Sequence, residues 1–223
     1  MITVVVPTMW RGREINIMLP QLNDHPLVGE IILIDNAPDD RVKETCELSK
    51  IKYVSFGKNI YVNPAWNYGW ENAKYDKLLF INDDVVFSIA LVDAMYDKIN
   101  ETNGMISLDP VVVHNSITGG SSLVTNRRAE HIKFETRIKL RHKAAIVFAI
   151  HKSSYTKIPE ELLIYYGDSF LFRMCQKNNR HNITAMELEA RTIMSSTSAS
   201  FREIYDKETE MFVDIFKANG LEV

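Results

Sequence analysis

Residues 77–87 read Lys-Leu-Leu-Phe-Ile-Asn-Asp-Asp-Val-Val-Phe, a short apolar run through Ile81 that meets Asn82-Asp83-Asp84 directly. An apolar run without alternation is the pattern of a strand covered on both faces, as in parallel sheets. Working outward, the same pattern recurs at Ile2–Thr8, at Glu30–Asp35 (EIILID) and at Met105–Leu108, with a shorter strand at Lys52–Phe56. Helical spacing separates these strands. Ile15–Leu22 is one such segment, ended by Asp24-His25-Pro26. Asp39-Asp40 offers a second helix start, with Val42, Cys46 and Leu48 facing inward. Asn63-Pro64 opens a third that runs to about Lys74, its proline well placed in the first turn. A fourth covers Ile89–Ile99. This alternation predicts an α/β fold with a mainly parallel central sheet flanked by helices.

The second half differs. Around Gly119-Gly120 the chain is polar, and His131–Arg141 then alternates strictly. Ile132, Phe134, Ile138 and Leu140 fall on one face, with Lys133, Glu135, Arg137 and Lys139 on the other. That is the pattern of a half-exposed strand in a hairpin or at a sheet edge, and it predicts a small antiparallel region. Ala144–Ile150 reads as buried, Asp168–Gln176 as a helix, and Ser200–Ala218 as an amphipathic helix closed by Asn219-Gly220. The last helix carries the apolar stripe Phe201, Ile204, Tyr205, Met211, Phe212, Ile215 and Phe216. No linker or repeat divides the chain. The expectation is therefore one domain over 1–223, with halves of different character at 1–110 and 111–223.

Composition narrows the function. The 223 residues are 46% hydrophobic and 25% charged, with a net charge of −3, which gives no reason to expect a nucleic-acid partner. Cys46 and Cys175 stand apart in unlike contexts, as in a reduced, cytoplasmic chain. No apolar run approaches the roughly 18 residues of a bilayer span, and no leader pattern precedes Ile2. The polar face of the last helix leans acidic, so core or dimer packing suits it better than a membrane surface.

In an open parallel sheet, ligands meet the carboxyl ends of the strands. The residues there are Thr8, Asp35-Asn36, Asn59 and Asn82-Asp83-Asp84. Each alone can be a turn or cap residue. Adjacent carboxylates after a buried strand are sharper, because they repel unless a cation neutralises them. Hard oxygen donors suit Mg²⁺ or Mn²⁺. The absence of GxxxxGK[ST] and of GxGxxG argues against P-loop and dinucleotide chemistry.

Four blocks together, VVVPT (4–8), EIILIDNA (30–37), NIYVNPAWNYGWENA (59–73) and LLFINDDV (78–85), resemble the amino-terminal half of family 2-like GT-A glycosyltransferases. The resemblance implies an inverting, nucleotide-sugar-dependent transferase with a divalent metal. It places the nucleoside at Thr8, Asp35 and Asn67, with Asn36 beside Asp35, and adds Asn59 and Asp83 to the residues that bind the nucleotide sugar. It maps the family's Asn-x-Gly block onto Asn59, Ala65, Asn67 and Gly69, with Tyr61 where the first glycine stands, a bulkier wall for the donor pocket. The metal motif falls on Asn82-Asp83-Asp84; its first acid has become Asn82, which leaves Asp84 as main ligand, helped by Asp83 or Asn82.

Beyond residue 110 the resemblance offers Tyr165-Tyr166-Gly167-Asp168, in which Asp168 falls at the catalytic base, although Asp at a helix start is also a good cap. The family's third metal ligand has no match, with His151, His181 and Arg191–Ser200 each wanting. The basic stretch Arg127–Lys143 either closes over a diphosphate or is a solvated strand face. Trp10, Trp66 and Trp70 are candidates to stack on a base or sugar, although Trp66 and Trp70, four apart on a helix, more often mean packing. The implied partners are a nucleotide-sugar donor and a glycan or other hydroxyl acceptor, with a homodimer possible. A sugar nucleotidyltransferase and a non-catalytic sugar- or nucleotide-binding module are the rival readings.

Overall fold

The computed structural model describes residues 1–37, 48–108, 113–114, 132–139, 146–186, 190–192 and 201–222. In chain order its elements are β1 (Ile2–Thr8), α1 (Ile15–Asp24), β2 (Val28–Asp35), β3 (Ile51–Ser55), α2 (Val62–Asn72), β4 (Lys77–Ile81), β5 (Val85–Phe87), α3 (Ala90–Lys98), β6 (Asn103–Leu108), β7 (Val113–His114), β8 (Lys133–Thr136), β9 (Val147–His151), α4 (Gly167–Lys177), β10 (His181–Met186), β11 (Ala190–Thr192) and α5 (Arg202–Ala218). The helix expected from Asp39-Asp40, the Gly119-Gly120 loop and most of the basic stretch lie outside the described residues.

Eight strands form one sheet in the order β3-β2-β1-β4-β9-β6-β10-β8. β1 runs parallel to β2 and β4, β2 to β3, and β6 to β10. β9 inserts antiparallel between β4 and β6, and β8 closes the edge antiparallel to β10. A second, three-stranded sheet has the order β5-β11-β7.

Burial on both faces explains the unbroken apolar strands. Val4 and Val6 of β1 face one core with Met18 and Leu22 of α1 and Leu91 and Met95 of α3. Val5 faces the other, with Trp66 of α2, Phe80 of β4 and Phe148 of β9. There α2 lies so close to β1 that a methyl group on Gly69 would collide with the Val5 side chain. Phe80 and Phe148 stack at 4.6 Å, Trp66 packs edge-on to Phe148 at 4.9 Å, and Trp70 stacks on Tyr155 at 5.0 Å. Both helical tryptophans are thus packing residues.

The alternating stretch gives a shorter strand than its pattern predicts. β8 ends at Thr136, which faces Ile183, and Ile138 is 78% exposed rather than inward. Its partner β10 begins at His181, so the pairing runs out. The stripe of α5 is spent within the chain: Phe212 stacks on Tyr166 at 4.3 Å, and Phe216 packs on Phe170. No helix among the described residues is long and apolar enough to cross a membrane.

Cys175 is fully buried on α4, and burial pushes its thiol up to about 11; the Tyr155 hydroxyl is likewise held well above its usual range, first by burial and then by the negative charge of Glu71. The fold retains these protons where the unfolded chain releases them. These two groups therefore leave stability unchanged below pH 9 and lower it as pH rises from 9 to 11, with about 3 kcal/mol lost to Cys175 alone. Urea titrations across this window should show the loss, and Cys175→Ala should make its slope shallower. An equal slope in the variant refutes the assignment.

Candidate active site

The carboxyl ends of the parallel strands share one edge, and β1, β2 and β4 deliver their polar residues there. Asp83, in the turn after β4, accepts from the Thr8 hydroxyl at 2.8 Å and from the Met9 N–H at 3.1 Å, through the same oxygen. Burial pushes the Asp83 carboxyl up to about 6 and the charge of Asp84 adds to this, against the pull of the Thr8 and Met9 bonds. Asp84 itself is 3% exposed. Asp35, at the end of β2, accepts from the Trp10 indole at 3.1 Å, from the Ala37 N–H at 2.9 Å and from the Tyr53 hydroxyl.

Asn36 and Asn59 act on the backbone. The Asn36 N–H donates to the Thr8 carbonyl at 2.8 Å, and its carboxamide accepts from Ile60 N–H and donates to the Tyr61 carbonyl. Asn59 accepts from Tyr61 N–H at 2.8 Å. Between them Tyr61 is held at φ 68° and ψ 177°, a region essentially reserved for glycine. Its ring meets Phe201 at 6.5 Å, with the Arg11 guanidinium 5.5 Å over the Phe201 ring.

Asn67 sits elsewhere. Its carboxamide donates to the Ile158 carbonyl and accepts from Tyr155 and from Ile158 N–H, in the core between α2 and the 155–158 segment. The structure gives it a structural task and does not bring it to the strand ends. His151 pairs opposite Lys77 and His181 opposite Asn103, at the amino-terminal edge of the sheet. Neither histidine joins the site.

Asp168 reaches the site edge through topology. Helix α4 precedes β10, a parallel strand, so it runs back along the sheet and starts at the carboxyl edge. The same holds for α2 before β4. Asn63 of α2 donates to the carbonyls of Leu162 and Tyr165, and a methyl group on Gly167 would collide with the Asn63 side chain. The two helix starts are thus fastened together. Tyr166, not Asp168, is the N-cap, held at φ 60° without a side-chain capping bond, and Asp168 lies in the first turn. Its carboxylate accepts from Ser169 N–H at 2.7 Å.

Glu208 of α5 was missed in the sequence pattern. It is 1% exposed, and its carboxylate accepts from the N–H groups of Leu163, Ile164 and Tyr165 at 2.8, 3.0 and 2.7 Å. This fixes the segment that leads into Asp168. Its signal was available: Glu208 stands four residues from both Ile204 and Phe212, inside the apolar stripe. Glu208→Ala leaves three N–H groups without an acceptor and should cost about 3–5 kcal/mol in urea unfolding, Glu208→Gln less. Indistinguishable midpoints for wild type and the alanine variant would contradict this role.

A divalent cation at Asn82-Asp83-Asp84 would meet oxygen donors only, which suits Mg²⁺ or Mn²⁺. One further observation fits a cation here. Among the described residues Oε2 of Glu14 is buried without a hydrogen-bond partner, and a methyl group on Gly12 would strike that oxygen and lie 3.7 Å from Cβ of Asp84. One buried carboxylate oxygen close to Asp84 is thus left without a hydrogen-bond partner. No three His, Cys, Asp or Glu side chains among the described residues are arranged to hold a metal alone.

A mainly parallel sheet with acids at its carboxyl edge, an antiparallel strand inserted beside β4 and a small second sheet define the GT-A fold of nucleotide-diphospho-sugar transferases. Residues 3–158 match the family model for Glycosyl transferase family 2, and the chain belongs to that family. The fold recurs in the mannosyltransferase PcManGT from Pyrobaculum calidifontis, solved in complex with GDP-Man and Mn²⁺ (14% identity, TM-score 0.64, 98% of this chain and 63% of that one). It recurs in residues 1–349 of TarS from S. aureus (14% identity, TM-score 0.58, 96% of this chain and 65% of that one). The same TarS fragment in complex with UDP-GlcNAc aligns at 14% identity and TM-score 0.54, over 96% of this chain and 66% of that one. The chain thus spans about two thirds of the length of these structures, and the likeness is one of fold. No curated protein matches it.

Proposed function

We propose that the chain is a glycosyltransferase that moves a sugar from a nucleotide-diphosphate sugar to an acceptor hydroxyl by a single inverting displacement. The observation that carries this is the convergence at one sheet edge of Asp35, the Thr8–Asp83 pair, Asp84 and the start of α4 with Asp168, in a member of family 2. Thr8, Asp35 and Asn36 form the nucleoside end, with Asn36 and Asn59 shaping the wall at Tyr61. Asp84 and Asn82 would hold the cation, which when bound neutralises charge on the leaving diphosphate. Asp168 takes the proton of the acceptor hydroxyl as that oxygen bonds to the anomeric carbon. The bond from that carbon to the diphosphate breaks, and the nucleoside diphosphate leaves with its electrons. Residues 1–110 supply the donor side and 111–223 the acceptor side, where a glycan or other hydroxyl compound binds.

A thermal-shift panel of UDP, GDP, CDP, dTDP and their sugars, each with Mn²⁺, Mg²⁺ or EDTA, tests the reading. A ligand bound only by the folded state raises the melting temperature by mass action. A metal-dependent rise with one nucleotide class is expected. No rise with any of them would refute the donor site.

A further inference from the structure

Asp35 is 1% exposed, and its Oδ1 accepts from the indole N–H of Trp10 at 3.1 Å and from the Ala37 N–H at 2.9 Å, while the Tyr53 hydroxyl donates to Oδ2. Trp10 lies in the β1–α1 connection, outside any helix or strand, and its partly buried ring packs against the core that α1 and α3 share, so turning it breaks side-chain packing but no secondary structure. Its backbone stands at φ 55°, in the left-handed region, and its N–H donates to the Thr8 hydroxyl oxygen at 2.9 Å. A tryptophan is rarely found in that region, and here local hydrogen bonds hold it there.

We propose that Trp10 occupies the base subsite of the free protein and that the donor's base displaces it from Asp35. The inference rests on the reading that Asp35 meets the nucleoside. The indole offers a ring N–H on the edge of a planar heteroaromatic. N3–H of uracil or thymine and N1–H of guanine have the same form, so these bases restore the bond that Trp10 gives up. Cytosine N3 and adenine N1 carry lone pairs at neutral pH and leave only the exocyclic amino group to donate to the carboxylate. Donors built on UDP, dTDP or GDP are therefore favoured over those on CDP or ADP. Displacing Trp10 weakens every base-bearing ligand by the fraction of time the site is open.

Trp10→Phe keeps a ring but removes the N–H. With Mn²⁺ present, UDP or GDP should bind this variant about tenfold more tightly than wild type, the equivalent of one charge-assisted hydrogen bond. Inorganic pyrophosphate has no base, so its affinity should be the same in both proteins. Trp66 and Trp70 are packed against aromatic rings, so the change in tryptophan emission on adding nucleotide should vanish in the variant. Trp10→Ala, which removes the ring as well, should also gain affinity. Equal or weaker nucleotide binding by both variants, each folded by circular dichroism, overturns the proposal while wild-type binding upholds the donor site. If no nucleoside diphosphate binds wild type, the donor reading falls and this one with it.

Discussion

Replacing Asp168 by Asn is expected to lower sugar transfer about a thousandfold and to leave nucleoside diphosphate affinity within about a factor of two. The carboxamide has nearly the shape of the carboxylate and can still accept from Ser169 N–H, so the first turn of α4 should persist. What it lacks is the basicity to take the acceptor's proton. The segment ahead of it stays fixed, because Glu208 holds residues 163–165 and Asn63 holds Leu162 and Tyr165. Turnover and nucleotide titrations on one preparation separate the two quantities. Turnover within about tenfold of wild type would remove Asp168 as the base.

Asp84→Ala should abolish the metal-dependent part of donor binding, a loss of about a hundredfold in affinity with Mn²⁺ present and none with EDTA. The variant should fold well. In the metal-free protein Asp84 adds to the forces that oppose ionisation of Asp83, so its removal relieves a repulsion. An unchanged or raised melting temperature without metal, together with a lost donor-induced shift, is the expected pair. Unchanged donor affinity with metal would show that Asp84 holds no cation that matters for the donor.

The parallel half of the fold was legible because burial on both faces leaves little freedom in composition. Ile2–Thr8 and Lys77–Ile81 agree with their predicted bounds to the residue. β5 was not seen, since Val85–Phe87 is too short to show a period. β9 was read as buried, but its direction was hidden, because a strand inside a sheet is apolar whichever way it runs. At the site, residue type located Asp35, Asp83 and Asp84 but did not reveal their partners. The indole on Asp35 comes from a turn, and the Asn67 carboxamide is claimed by Ile158 and Tyr155, far along the chain. Amides serve ligands and loops equally well, and only the fold decides between them.

The place of β9 also has a bearing on how the chain comes to be folded. As synthesis proceeds, β1 to β4 can pair as soon as they emerge, but β6 has no neighbour on its inner side until Val147–His151 arrives. Until then the outer edge of β4 and both edges of β6 are open to any other extended chain. Closing the long connection between β6 and β9 is a non-local event of the kind that slows folding. The nascent protein therefore passes through a stage in which its amino-terminal half is assembled but unsealed, and self-association is most competitive there.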